Sequence, residues 1–268
     1  METALKEFRD VASTRAHAIR SVLLVLGIIS FVFAMLANSQ ILAFIGLGLT
    51  FWGALFLLIT PLRYVEGSLL GSTAVSSYKS LDRILRDLAP SDYSYHIPPL
   101  PGNINPPNHL KGLTEKVVFV PRHNDVEMPS IEDMSKGRFL LKNPKGILIV
   151  PPGAGLLTKI ENDFKTDFYN LGLSTLCEFF PSFILEKLGL AEEMKMISQG
   201  NVVDVKVIGS LYSELYNSDT NLKSISVFGC PIISATACAI ARATGQIVTI
   251  QKLMAFPNGQ IEAQCVTI

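Results

Sequence analysis

The sequence has no excess charge of either sign and few cysteines. Its 268 residues carry 23 Lys and Arg against 23 Asp and Glu, a formal net charge of zero. A nucleic-acid-binding protein typically shows a basic stripe, so this balance argues against a nucleic-acid partner. The four cysteines are Cys177, Cys230, Cys238 and Cys265, and no two form a C-x-x-C pair. This spacing indicates neither a disulfide framework nor a zinc motif, and it favours buried thiols in a reducing compartment.

The motifs of common catalytic sites are also missing. The chain has no His-x-x-x-His or His-Glu-x-x-His spacing and no Gly-x-Ser-x-Gly elbow. Residues of suitable chemistry occur without catalytic partners nearby in the sequence. The histidines His96, His109 and His123 lie in predicted loops, and Ser234, Cys230 and Cys238 have no nearby base. The acids Glu186, Glu192 and Glu193 lie at a predicted exposed helix end. We therefore predict no catalytic residues, no metal site and no cofactor, and favour a protein that is not an enzyme.

Charge is absent altogether from residues 21–62, which contain no Asp, Glu, Lys, Arg or His. Two apolar runs, 21–37 and 41–60, lie within this region, separated by Asn38, Ser39 and Gln40. A helix needs about 17 to 25 apolar residues to cross a bilayer, so the pattern predicts a transmembrane helical hairpin. A proton or ion path through these two helices would need ionisable groups, so we interpret the hairpin as an anchor in the lipid bilayer.

The orientation of this hairpin follows from its basic flanks. Lys and Arg occur on both sides of the apolar region and not in its turn (Lys6, Arg9, Arg15, Arg20; Arg63, Lys79, Arg83, Arg86). The positive-inside rule then predicts a two-span protein of the cell membrane with both termini in the cytoplasm. Acidic residues precede the first run, whose length of 17 residues exceeds a signal-peptide core, so we do not expect cleavage there.

These features divide the chain into five parts. We predict a cytosolic N-terminal segment at 1–20, the transmembrane hairpin at 21–62, a juxtamembrane helix at 63–89, a proline-rich linker at 90–113 and a cytosolic domain at 114–268. The linker holds six prolines, which favour an extended connector. It either packs on its own domain or acts as a spacer, and the alternative is docking as a polyproline helix in an aromatic-lined groove of a partner.

The last part is predicted to be an α+β domain with an antiparallel sheet. Alternation and turn residues predict strands at 116–121, 138–142, 146–150, 201–209, 246–254 and 260–267. Helical periodicity predicts helices at 153–169, 173–189 and from Pro231 to a cap at Gly245. Asn258-Gly259 is a typical hairpin turn between the last two strands.

Two resemblances extend this interpretation. The paired spans, the following helix, the Tyr-x-x-Pro-Pro motif at 95–99 and PPGAGL at 151–156 resemble an uncharacterised family of archaeal two-span membrane proteins. This resemblance covers nearly the whole chain, and it implies topology rather than an activity.

Residues 138–268 also resemble the 4-vinyl reductase, or hydrocarbon-binding, domain, which is related to the TRAPP vesicle-tethering subunits. The similarity lies in the element order and in LCEFFPSFILEKLGL, FGCPIISATACAIARATGQIVTI and AQCVTI. It implies a domain that binds aromatic or fatty ligands or that assembles as a dimer. Some members hold zinc, with cysteines where Cys230 and Cys265 stand here. The hairpin residues 253–257 supply neither the acid nor the cysteine that would complete a tetrahedral site, so only the fold is carried over.

One candidate ligand site follows a predicted strand. Gly153 and Gly155 open a predicted helix, where backbone amides and the helix dipole hold anions, and Lys159 is the nearest cation. Thr158 stands where a dinucleotide fingerprint needs glycine, and no P-loop lysine follows. The alternative is a tight turn that requires glycine for its backbone alone.

Our leading hypothesis is a membrane-anchored, non-enzymatic cytosolic domain that binds a partner protein, a second copy of itself or a small apolar ligand. The alternatives are an enzyme acting at the membrane surface on a phosphate-bearing or lipid substrate, and an accessory subunit of a membrane complex.

Overall fold

The computed structural model describes residues 22, 25–37, 39–58, 67–89, 91–99, 115–123, 128–217 and 222–268. The chain divides into two compact units, Met1–Tyr64 and Val65–Ile268. The predicted segment 1–20, Arg63, and residues 90 and 100–113 of the predicted linker, which include His109, lie outside the described residues.

The first unit contains two apolar helices in close contact, α1 (Val25–Ala37) and α2 (Gln40–Leu58). Glycines set the distance between them. A Cβ on Gly27 would lie 2.5 Å from the backbone N of Thr50, and a Cβ on Gly46 would lie 2.7 Å from the backbone N of Phe31. The two helices are therefore antiparallel. At Gly27 and Gly46 their backbones approach more closely than a side chain at either position would allow.

The outer surface of these two helices is strongly apolar. Large side chains that point away from the helix contact are well exposed (Phe33, Met35, Leu36, Ile41, Phe44, Phe51, Trp52). A soluble helical pair would bury such side chains, since each gains roughly 1.5–3 kcal/mol on leaving water. This unit therefore presents a surface that favours an apolar environment.

One helical stretch among the described residues is long and apolar enough to cross a membrane by length and composition, namely Lys223–Thr244. That stretch consists of two consecutive helices, Lys223–Phe228 and Pro231–Thr244. Of its apolar 18-residue window, 89% is buried inside the second unit, as in the core of a folded domain. The described apolar parts of α1 and α2, Val25–Ala37 and Gln40–Leu55, are shorter.

The second unit mixes helices and strands. Its helices are α3 (Gly67–Leu88), α4 (Ile131–Ser135), α5 (Ala154–Phe164), α6 (Leu173–Ser182), α7 (Lys223–Phe228) and α8 (Pro231–Thr244). Its strands are β1 (Tyr95–Ile97), β2 (Val117–Pro121), β3 (Leu140–Lys142), β4 (Lys145–Ile149), β5 (Glu193–Gln199), β6 (Val202–Ile208), β7 (Val248–Ala255) and β8 (Gln260–Thr267). A π turn, Phe183–Lys187, follows α6, and 3-10 turns cover Phe168–Asn170 and Ser213–Tyr216.

The eight strands form one sheet in the order β3-β4-β2-β1-β7-β8-β6-β5. Every adjacent pair is antiparallel. The predicted α+β class with an antiparallel sheet is therefore confirmed. The predicted Asn258-Gly259 hairpin joins β7 to β8, where Gly259 has a φ of +77°.

The two ends of the sheet are covered differently. At the β3 end, Val118 and Val120 of β2 pack against helices on one face, while Phe119 packs with Met134 of α4 on the other. At the β5 end, Val203, Val205 and other inward residues pack under the helices, and the opposite face carries polar residues. Only this end of the sheet thus has the polar and apolar alternation of a half-exposed sheet.

Helix α8 lies at the centre of the helical layer. Pro231 occupies its first turn, and Gly245 ends it in the left-handed conformation with a φ of +67°, as the sequence predicts. Residues 232–241 are all buried and belong largely to one cluster with α5, α6 and the strands. The core of the domain is built around this helix.

The domain begins earlier in the chain than residue 114. Tyr95–Ile97 forms β1 between β2 and β7, in the middle of the sheet. The Tyr78 hydroxyl of α3 donates to the Gly229 carbonyl at 2.7 Å, and Leu85 is fully buried. The described part of the predicted linker thus contributes a central strand, because Tyr95 and Ile97 have apolar surface to bury.

Local differences between prediction and structure have identifiable causes. The helix predicted at 153–169 ends at Phe164, where Lys165 adopts a φ of 49° and caps it. The helix predicted at 173–189 is α-helical to Ser182 and continues as a π turn, just after Pro181, which has no N–H to donate. Glu193 begins β5 and does not belong to a helix end.

Candidate functional site

The most distinctive surface is the face of the sheet opposite the helices, formed by β5, β6, β8 and β7. We call it the open face, and strand register aligns its side chains in two rows. The first row is Ile197, Asp204, Gln264 and Lys252. The second row is Lys195, Lys206, Glu262 and Met254. These eight residues line a concave surface with a volume of about 360 Å³.

Apolar and charged groups alternate across the open face. Ile197 is 55% exposed and Met254 is 50% exposed, at opposite corners of the two rows. Lys195 and Lys206 are direct cross-strand neighbours, and like charges in that position destabilise a sheet. The carboxylate of Glu193, which interacts with both lysines, offsets part of this repulsion.

An ion pair and a hydrogen bond between side chains of the domain itself engage part of the charge on the open face. Lys195 Nζ lies 2.9 Å from Glu193 Oε1, and the hydrogen bond and charge of Lys195 lower the pKa of Glu193. Gln264 Nε2 donates to Asp204 Oδ1 at 3.0 Å. Lys206 and Lys252 have no ion pair within the described ranges, so they leave cationic groups available on the open face.

The glycines predicted to hold an anion lie at the start of α5. Gly153 packs against the backbone of Ser234 and Ala235 in α8, and its N–H donates to Ser234 Oγ at 3.1 Å. Gly155 is exposed, with open space around its Cβ position. Lys159 Nζ lies 2.6 Å from Asp163 Oδ2 on the surface of the same helix. Gly153 therefore serves helix packing, and anion binding by Gly153, Gly155 and Lys159 stays a prediction.

A largely buried ion network joins α5 and α8 to the start of β2. Lys116 Nζ lies 2.8 Å from Glu161 Oε2 and donates to Thr158 Oγ1 at 2.9 Å. Arg242 Nε forms an ion pair with Glu161 Oε1 at 3.0 Å, although the angle does not meet the hydrogen-bond criterion. Arg242 Nη2 forms a second ion pair with Asp167 Oδ1 at 3.1 Å. The Tyr169 N–H and then Arg242 lower the pKa of Asp167. Two cations and two carboxylates balance, which indicates a structural network.

The cysteines do not assemble a metal site. All four are free thiols. Within the part of the chain that the structure describes, no group of three or more His, Cys, Asp and Glu residues could hold a metal ion. Burial raises the pKa of Cys238 and of Cys265 to about 12, so these thiols are not nucleophilic at neutral pH. Cys230, at the start of α8, is fully buried, and burial raises its pKa as well.

His96 departs most from its prediction. The sequence places it in a solvated loop, which is wrong, since it lies in β1 between Val118 and Val248 and is buried. Neither ring nitrogen has a hydrogen-bond partner within the described residues. Burial lowers the pKa of His96 to about 4, and the nearby Val248 backbone, which does not reach hydrogen-bond geometry with the ring, opposes this shift in part. By contrast, His123 is exposed.

Sequence reasoning missed the open face because it missed β5. That strand has two buried residues, Met194 and Met196, followed by three exposed ones, so its apolar alternation is too short to predict a strand. The alternation of Val203, Asp204, Val205 and Lys206 in β6 does predict a half-exposed strand. The ion network had no local signal, because Lys116 and Glu161 are 45 residues apart.

These elements define a class of protein: an α+β domain whose antiparallel sheet is open on one side at one end, preceded in the chain by a pair of apolar helices. Its sequence matches a known family over residues 3–265, so the chain belongs to the family described as Domain of unknown function (DUF7982). Comparison with curated proteins gave no match, and comparison with solved structures gave none either.

Proposed function

We propose that this protein is a membrane-anchored, non-enzymatic binding module whose open face binds a partner protein. In this proposal α1 and α2 are the two spans of the predicted hairpin, and the α+β domain lies in the cytoplasm. The observation that carries the binding role is the pair of rows on the open face, which combine exposed Ile197 and Met254 with two lysines, Lys206 and Lys252, that have no ion pair among the described residues.

Three observations support the anchor. Residues 21–62 carry no ionisable group. The described parts of α1 and α2 expose large apolar side chains on their outer surface. Gly27 and Gly46 allow the close backbone contact that is common between helices in lipid, where packing replaces the hydrophobic effect as the main attraction. The basic flanks support cytoplasmic termini.

The glycine contact of the anchor leads to a prediction with a matched control. Gly46→Leu would force a side chain against the backbone of Phe31, whereas Gly48→Leu enters open space. The Ser30 hydroxyl donates to the Leu42 carbonyl at 3.5 Å, so these two positions lie close together. In membranes containing the full chain with Cys177→Ser, we expect oxidative crosslinking of a Ser30→Cys, Leu42→Cys pair to fall several-fold with Gly46→Leu and to stay unchanged with Gly48→Leu. Equal crosslinking in all three backgrounds would show that the helices do not depend on this contact.

The chemistry of the open face supports a protein partner. Protein interfaces combine apolar contacts with hydrogen bonds and charge pairs. The open face offers Ile197 and Met254 at its corners, with charged and amide side chains between them. Lys206 and Lys252 have no ion pair among the described residues, so a carboxylate from a partner would find a cation there. We therefore propose a partner that presents an apolar residue next to an acidic one.

The alternatives draw less support. A small apolar ligand, as the resemblance of 138–268 to the hydrocarbon-binding domain implies, would need space behind α8, where residues 232–241 are buried in a continuous cluster. An enzyme acting on a phosphate-bearing substrate at the start of α5 would compete with Ser234 for the Gly153 N–H and with Asp163 for Lys159. An accessory subunit of a membrane complex is a special case of the proposed binding role.

The open face is tested with two double variants of the full chain. Ile197→Asp with Met254→Asp places charge at the proposed contact. Leu140→Asp with Val150→Asp is the control, because Leu140 is 52% exposed and Val150 is 59% exposed at the other end of the sheet. After mild solubilisation of native membranes, we expect the open-face variant to lose a co-purifying protein at least tenfold, as quantified by mass spectrometry, and the control to retain it.

A co-purifying protein alone does not support the proposal, because detergent extracts contain adventitious partners. The proposal requires a difference between the two double variants. If both retained the same proteins, or if the control lost them as well, binding through the open face would be refuted. Both variants change exposed residues, so circular dichroism of each is expected to match the parent protein.

A further inference from the structure

We propose that the exposed face of α3 binds the anionic headgroups of the membrane surface through Lys79, Arg83 and Arg86. This inference rests on the proposed membrane anchor, and it adds a second, electrostatic contact between the cytoplasmic domain and the bilayer. It assigns a partner to a helix face that is exposed among the described residues.

The three cations share one side of α3. At about 100° per residue, Lys79, Arg83 and Arg86 fall within an arc of about 60°. All three are exposed and have no ion pair among the residues that the structure describes. The opposite side of α3 is buried, with Tyr78 and Leu85 in the core of the domain. The helix is thus fixed with its basic side outward.

The acids of the helix offset this charge only in part. Asp82 turns toward α7, where its oxygens accept from the Ser224 N–H at 2.6 Å and the Lys223 N–H at 3.2 Å. Asp87 is exposed near the end of the helix. The outward side of α3 therefore has a net positive charge, although the whole chain is neutral.

Sequence position selects the membrane surface as the partner. Only residues 59–66 separate α2 from α3, so in an anchored chain the start of α3 stays within roughly 30 Å of the end of α2. Leu69, in the first turn of α3, is 57% exposed, as expected of a residue at a headgroup boundary. The three cations lie about 18–29 Å further along α3, and attraction to anionic lipids falls off within about a Debye length of the surface. The proposed contact therefore requires α3 to lie along the membrane surface with its basic side toward the headgroups.

The test uses the full chain in lipid nanodiscs. A donor fluorophore is attached at Ser80→Cys, on the exposed side of α3, in a Cys177→Ser background, because the other three cysteines are buried. Acceptors are attached to lipid headgroups. We expect energy transfer to be higher in discs with 30% phosphatidylglycerol than in phosphatidylcholine discs, and 0.5 M salt to abolish the difference.

Three triple variants make the result specific. The first removes the charge of the basic face (Lys79→Gln, Arg83→Gln, Arg86→Gln), and we expect it to abolish the difference between the two lipids. The second conserves that charge (Lys79→Arg, Arg83→Lys, Arg86→Lys), and we expect it to retain the difference. The third variant is the control, which removes the same amount of charge from the open face (Lys195→Gln, Lys206→Gln, Lys252→Gln). We expect this control to retain the difference between the two lipids. Equal transfer in both lipids, or loss with the open-face control, would overturn the inference. Failure of the chain to enter discs would instead refute the anchor.

Discussion

Replacing Gly153 with alanine is expected to lower the free energy of unfolding by about 3 kcal/mol or more, or to prevent folding. The added Cβ would overlap the backbone of Ala235 and lie 2.5 Å from the Ser234 carbonyl carbon. Backbone atoms of a buried helix cannot move aside as a side chain would, so the clash has to separate α5 from α8. Urea unfolding of the detergent-solubilised full chain, followed by circular dichroism, measures the change.

The matched control is Gly155→Ala, two residues later. Its Cβ would enter open space on the exposed side of α5. Alanine favours the helix over glycine, so we expect this variant to gain about 0.5–1 kcal/mol. If Gly153→Ala were as stable as the parent protein, the close approach of α5 and α8 would be wrong.

Acidification is expected to destabilise the domain through His96. Burial lowers the pKa of His96 in the folded state to about 4 from its ordinary value of 6.5. As the pH falls below about 6.5, the unfolded chain takes up this proton first, so stability declines between pH 6.5 and 4 and is unaffected above that range. A shift of this size corresponds to roughly 3 kcal/mol, because each pKa unit is about 1.36 kcal/mol.

His96→Leu is expected to remove this acid sensitivity, since leucine has no group to protonate and buries no unpaired ring nitrogen. His123→Leu, at an exposed position, serves as the control and should keep the parent pH dependence. The measurement is the free energy of unfolding of each protein from pH 7 to pH 4. Parallel pH profiles for the parent protein and His96→Leu would contradict the buried position of the ring.

The sequence predicts those parts of the fold that depend on local pattern. Pro231 and Gly245 mark the ends of α8, and Asn258-Gly259 marks the final hairpin, because each turn or cap needs a particular backbone conformation. The α+β class with its antiparallel sheet follows from such signals. Strand β1 does not, since three residues among prolines carry no periodicity and only pairing with β2 and β7 makes them a strand.

The candidate site is less accessible to sequence reasoning because it is made by register between distant strands. Ile197, Asp204, Gln264 and Lys252 form one row only after β8 is placed between β6 and β7. The glycines at 153 and 155 look equivalent in sequence, yet one is pressed against α8 and the other faces open space. Tertiary packing, which local spacing does not encode, separates their roles.

Site-specific photo-crosslinking in native membranes tests most directly whether the anchored domain binds a partner protein through the open face. A benzophenone amino acid at position 197 in the full chain reports on the open face, and the same group at position 140 is the control. We predict that position 197 gives a discrete protein adduct in the membrane fraction and that position 140 gives none. Recovery of the chain outside the membrane fraction, or the same adducts from both positions, would contradict the account.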